Sequence, residues 1–164
     1  MATITAFKFD TPEGAEQMLD LVKDLSKQRL ITLQDAAIVT WPEGKKKPKT
    51  RQLQSLVGIG ALSGAFWGML FGLIFFIPFL GMAVGAAIGA LARKFSDYGI
   101  DDDFIKSVGQ KVTPGTSALF LMTSYAVIDK VSDAVKQKGW KFEVLSTNLS
   151  EEQEDQLGKD FGLE

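Results

Sequence analysis

The sequence contains no cysteine and no histidine. Without cysteine no disulfide framework can form, which points to a cytoplasmic rather than an exported setting. Without histidine the commonest general base and transition-metal ligand is missing. Zinc sites built from Cys or His, and every catalytic triad that uses His, are excluded. A third absence is local: Leu56 to Ala92 carries no charged residue at all. The rest of the 164-residue chain is rich in charge of both signs, and the net is only -2. The apolar stretch is therefore unlike everything around it. The beginning, MATITAFKFD, has neither a basic leader nor an apolar run of signal length. A route to a membrane would lie in the internal segment.

The flanking regions follow a soluble pattern. Ile4 to Phe9 is a β-branched and aromatic run, closed by DTPEG, with Thr11 as an N-cap and Pro12 at the first helical position. Ala15, Met18, Leu19, Val22 and Leu25 recur at helical spacing. Gln34 to Trp41 is a second strand. After the apolar segment, GIDDDFIKSVGQKV reads as a short helix and TSALFLMTS as a third strand. Val127, Ile128, Val131, Ala134 and Val135 mark a further helix, WKFEVLSTNL a fourth strand, and SEEQEDQLGKDFG an acidic helix capped by Ser150. Two β-α-β units in this order predict an α+β, ferredoxin-like split β-α-β sandwich, with two helices on one face of a four-stranded antiparallel sheet. The first half covers 1–52 and the second 96–164. An apolar helical hairpin, 53–95, is inserted between the second and third strands, and the other sheet face is left open for association.

The charge-free run exceeds the roughly 20 residues that one membrane span needs. Pro78 breaks it near the middle. The first arm carries Gly60, Gly64, Gly68 and Gly72, and the second Gly81, Gly85 and Gly89. A four-residue step keeps each series near one face of a helix, where a second backbone can approach closely. That is a glycine zipper, and these seven glycines are the expected packing residues. Phe75, Phe76, Ile77, Pro78 and Phe79 form a tip with nothing polar, so a hairpin dipped into the bilayer from one side fits better than two full crossings. Lys45, Lys46, Lys47, Lys49, Arg51, Arg93 and Lys94 flank it and would meet headgroups with the folded domain on the cytoplasmic side. The alternative for this basic stretch is a solvated loop. For the hairpin it is burial inside a soluble oligomer.

Chemistry is scarce. Asp101, Asp102 and Asp103 diverge, as helix-opening acids do; an ion site, the lesser reading, needs convergent carboxylates. Ser117 lacks a histidine or lysine partner. The glycine run lacks the GK[ST] ending of a phosphate loop. Trp41, Trp67 and Trp140 read as core or interface residues. No enzyme, no cofactor, no metal and no nucleic-acid partner is expected. The expected partners are the lipid bilayer and further copies of the chain, in a structural or membrane-organising role connected with stress. A closed particle burying the hairpins, a membrane-anchored sensor of a small ligand, and a pore are the alternatives.

The glycine hairpin followed by GIDDDF and PGTSALF, and then LSEEQEDQL, resembles a bacterial family of predicted membrane proteins, domain of unknown function 1269. The resemblance covers nearly the whole chain. It implies a bacterial, membrane-associated protein of this layout, and with the cytoplasmic side set by the flanking cations the expected location is the inner membrane. It implies no catalytic or ligand residues, because the family's function is itself unassigned.

Overall fold

The computed structural model describes residues 2–28, 32–52, 64–76, 85–124 and 128–161. Five strands are present: β1 (Ala2–Phe9), β2 (Thr32–Trp41), β3 (Lys49–Gln52), β4 (Thr116–Ser124) and β5 (Glu143–Leu149). They form one antiparallel sheet in the order β3-β2-β4-β1-β5. The helices are α1 (Gly14–Lys27), α2 (Gly64–Phe71), α3 (Gly85–Asp97), α4 (Asp102–Lys111), α5 (Ile128–Gln137) and α6 (Glu151–Phe161), with a π-helical turn, Gly72–Phe76, continuing α2. The architecture is α+β.

Alternation along the strands divides the core in two. Phe7, Phe9, Ala36, Ile38, Leu119 and Leu121 face one side, where Met18, Leu19 and Val22 of α1 and Val131 and Val135 of α5 close over them. Ile4, Ala6, Ala37, Val39, Ala118, Phe120 and Met122 face the other. That second side is covered as well, by Phe66, Trp67, Leu70 and Phe71 of α2, Leu73, Ile74 and Phe75 of the π turn, Phe95 of α3, and Phe104, Ile105 and Val108 of α4. A sheet buried on both faces reads as near-continuous apolar strand, and TSALFLM is one. The expectation of an open second face is therefore corrected: part of the apolar segment itself covers it.

Two local expectations also change. Thr11 does not cap α1. The helix begins later, with Glu13 at the N-cap and no side-chain bond there. Instead the Ser117 hydroxyl, fully buried on β4, accepts from the Ala15 amide at 3.0 Å and donates to the Thr11 carbonyl at 2.7 Å. Ser117 is a cap supplied from the sheet. The second correction is β3, made from part of the basic stretch. Ala37 to Thr40 pairs with Lys49 to Gln52, which extends the sheet by one short edge strand. Charged side chains are tolerated on an edge, so the run never looked like a strand.

The caps at Asp101 and Ser150 form as the sequence implies. Asp101 accepts from the Phe104 amide at 2.9 Å, and Ser150 and Gln153 exchange side-chain-to-amide bonds at 3.2 and 2.9 Å. Asp101, Asp102 and Asp103 are all exposed at the start of α4.

Candidate functional site: the docked apolar arm and its outward face

α2 has two unlike faces because its bulky and small residues alternate at helical spacing. Phe66, Trp67, Leu70 and Phe71 are each buried to within 3% of full cover. Their rings interlock with the sheet: Phe71 meets Phe120 at 5.1 Å and 70°, and Trp67 meets Phe120 at 6.4 Å and 70°. Phe66 reaches Phe95 of α3 at 5.6 Å. Each such side chain gains about 2 kcal/mol by leaving water. The opposite face presents Ala65, Gly68 and Met69 to the outside, and Met69 is 41% exposed, one of two large apolar residues so placed among those described. A Cβ built on Gly68 or Gly72 would meet nothing within 4 Å. Both glycines therefore line open space.

One polar contact fixes the arm. β2 carries a bulge between Leu33 and Asp35, and Asp35 is only 1% exposed. Its carboxylate accepts from the Ala36 amide at 2.8 Å and from the Trp67 indole N–H at 3.2 Å. A buried carboxylate is costly without donors, so the indole belongs where it is for more than volume. Sequence reasoning overlooked Asp35. Its signal was there: it is the one acid inside the strand QDAAIVTW.

The π turn is held from the other side. A Cβ on Gly109 of α4 would come within 3.2 Å of the Ile74 carbonyl, so a glycine lets the two backbones approach. Phe75, one of the expected tip residues, is buried edge-on against Trp41, at 6.2 Å and 89°. The other expected tip residues, Ile77, Pro78 and Phe79, and the side chain of Phe76 lie outside the described residues. So do Gly60 and Gly81. Gly64 and Gly85 begin α2 and α3, and a Cβ on Gly89 of α3 would meet nothing within 4 Å.

The expected headgroup cations do not share one face. Lys45, Lys46 and Lys47 are exposed in the β2–β3 connection, and Arg93 and Lys94 are exposed on α3. Arg51 pairs in register with Ile38, and Lys49 with Thr40, so both point to the α1 side of the sheet. Arg51 makes an ion pair with Glu16 of α1. The strand register thus turns these two away from the layer that holds α2.

The acidic terminal helix is less solvated than its sequence suggests. Leu157 is fully buried, and the Tyr98 hydroxyl donates to Asp160. Burial, followed by this bond, pushes the Tyr98 phenol well above its ordinary value. The same bond holds the Asp160 carboxyl below its ordinary 3.8, with a smaller contribution from Gln156. A depressed carboxylate contributes stability above its unfolded pKa and loses it as the pH falls through the folded one. Thermal unfolding at about pH 5 and about pH 3 should therefore show a smaller acid-induced drop in Tm for Asp160→Asn than for the natural chain. Equal drops would mean that the bond does not hold α6.

No group of three or more potential metal-ligating side chains converges among the described residues. No described helix is long and apolar enough to cross a membrane. A groove of about 810 Å³ runs between the start of α1 and the β2–β3 hairpin, but its lining mixes Glu13, Glu16 and Glu43 with Lys49 and Arg51. The arm thus has an apolar backing on the sheet, an aromatic anchor and an outward face of small residues.

A family described as "Protein of unknown function (DUF1269)" matches residues 61–162. No curated protein and no solved structure matches.

Proposed function

The chain belongs to the DUF1269 family of proteins of unknown function, and from that premise we propose a non-enzymatic, membrane-associated protein that assembles with copies of itself. The observation that carries this reading is the division of labour on α2. Its bulky face closes the domain's own sheet, while Gly68 and Gly72 front open space beside the exposed Met69. A glycine face with no neighbour among the described residues costs helix propensity, about 1 kcal/mol per residue, without return. A second helix packed against it would supply the return, most of all in lipid, where close packing of small residues drives association.

In this reading the sheet, taken as β5-β1-β4-β2, is the split β-α-β arrangement of ferredoxin-like domains, with β3 as an added edge strand. The apolar stretch from Leu56 to Ala92 is an insertion that serves twice: one arm roofs the sheet, and the remainder meets lipid and neighbouring copies. The folded domain stands on the cytoplasmic side of the inner membrane, and the role is structural, organising membrane under stress. No cofactor takes part.

Gly68→Leu tests the glycine face. Its side chain would enter open space, so the monomer folds, but it would hold a second helix away. The assembly of the full-length protein, sized in mild detergent, should become smaller. An unchanged size would remove the glycine face from the account. A second reading is a water-soluble closed particle with the apolar segments inside. The observation in its favour is that protein, not lipid, already buries the bulky face of α2.

A further inference from the structure

We infer that the edge of β5 opposite β1, unpaired among the described strands, is a docking surface for a second copy of the chain, whose own β5 adds antiparallel about a two-fold axis through Ser146. This surface is separate from the glycine face and made of different residues.

The two edges of the sheet are unlike. β3, at one end, is four residues long, carries Lys49 and Arg51, and follows Lys45, Lys46, Lys47 and Pro48. Short length, cations and a nearby proline are the usual guards against edge-to-edge pairing. β5, at the other end, has none of these. Val144 to Leu149 is uncharged and free of proline. The single charge in the strand, Glu143, is met by Lys111 at 3.0 Å. β1 is its one strand neighbour in the described sheet. Val144, Ser146 and Asn148 are exposed, and Val144, at 38%, is the other large apolar residue so exposed among those described. The outward row of amides and carbonyls is a template for another strand.

Flanking charge selects the partner and its direction. On the N-terminal side Lys138 and Lys141 are exposed, and on the C-terminal side Glu151 and Glu152 are exposed. In antiparallel pairing about Ser146, the lysine-bearing end of one copy lies beside the glutamate-bearing end of the other, and the reverse contact repeats it. Val144 faces Asn148, and Ser146 faces itself. A parallel pairing would set lysine beside lysine and glutamate beside glutamate. Exposed ion pairs contribute little energy, but they fix register and reject the wrong orientation. The pattern is self-complementary, as a two-fold interface requires. Together with a contact at the glycine face, it would give each copy two distinct self-contacts, which link copies into chains or rings rather than isolated pairs.

The natural chain has no cysteine, so one introduced thiol reports the contact cleanly. Ser146→Cys in the full-length protein should form a disulfide dimer under mild oxidation, because antiparallel neighbours lie within disulfide reach. Thr50→Cys, exposed on the guarded edge, should stay monomeric over the same time. Adding Lys141→Glu to Ser146→Cys should slow the cross-link, and adding Glu151→Lys as well should restore it. Cross-linking of Ser146→Cys no faster than of Thr50→Cys would overturn the inference, and so would failure of the charge swap to restore it. The same experiment in a Gly68→Leu background should give an unchanged rate. A rate that collapses there would make the edge contact a by-product of the arm and overturn it as a docking surface. Because the edge and the glycine face are read separately, each can fail alone.

Discussion

Trp67→Ala is expected to destabilise the folded chain by about 3–5 kcal/mol, the range for losing a large buried aromatic side chain. Trp67 is 2% exposed, stacks on Phe71 at 5.7 Å and 29°, and stands edge-on to Phe120. Removing it leaves a cavity between α2 and the sheet. It also takes one donor from Asp35, whose carboxylate is almost fully buried. Trp67→Phe separates the two causes. It keeps much of the ring volume but not the indole N–H, and should cost about 1–3 kcal/mol. Urea denaturation followed by circular dichroism measures both. A loss below about 1 kcal/mol for the alanine variant would mean that the arm is not an integral roof of the sheet.

Gly99→Ala should be nearly as damaging, at about 2–4 kcal/mol. Gly99 joins α3 to α4 with φ of 94°, and a Cβ there would stand 2.9 Å from the Asn148 carbonyl and 2.8 Å from the Gln153 amide oxygen. The Gln153 side chain could swing away, but the β5 backbone could not. Its neighbour Thr147 donates to the Gly99 carbonyl, so the displacement reaches the strand edge as well. Gly139→Ala is the control. Its φ is 76° with nothing within 4 Å, so only the left-handed conformation is penalised, by about 1 kcal/mol. Equal losses at the two sites would show that crowding at Gly99 is unimportant. Hydrogen exchange of α6 amides should quicken in the Gly99 variant alone.

What the sequence made legible follows from how the signals arise. β1, β2, β4 and β5, and helices α1, α4, α5 and α6, could be read because their periodicity and caps are local. Ser150 and Asp101 are such caps, and each bonds within three residues of itself. The cap of α1 could not be read, since Ser117 reaches it from a strand 102 residues away. β3 was hidden because pairing with β2, rather than its own composition, makes Lys49–Gln52 a strand. The apolar segment was the hardest case. Absence of charge says that a segment is buried, not in what. Phe66, Trp67, Leu70 and Phe71 fit a membrane helix and a core helix equally well. The fold makes the choice for those residues, with the Trp67 indole donating to the buried Asp35 carboxylate.

The central claim is that the apolar segment holds its own domain together and also brings the protein to lipid and to its copies. Flotation of the expressed full-length protein through a density gradient without detergent tests this most directly, with mass and lipid analysis of the peak. The account predicts protein that rises with membrane and gives one discrete oligomer when solubilised. Protein that stays in the aqueous fractions as a uniform, lipid-free particle would contradict it, and the apolar segments would then bury one another in water.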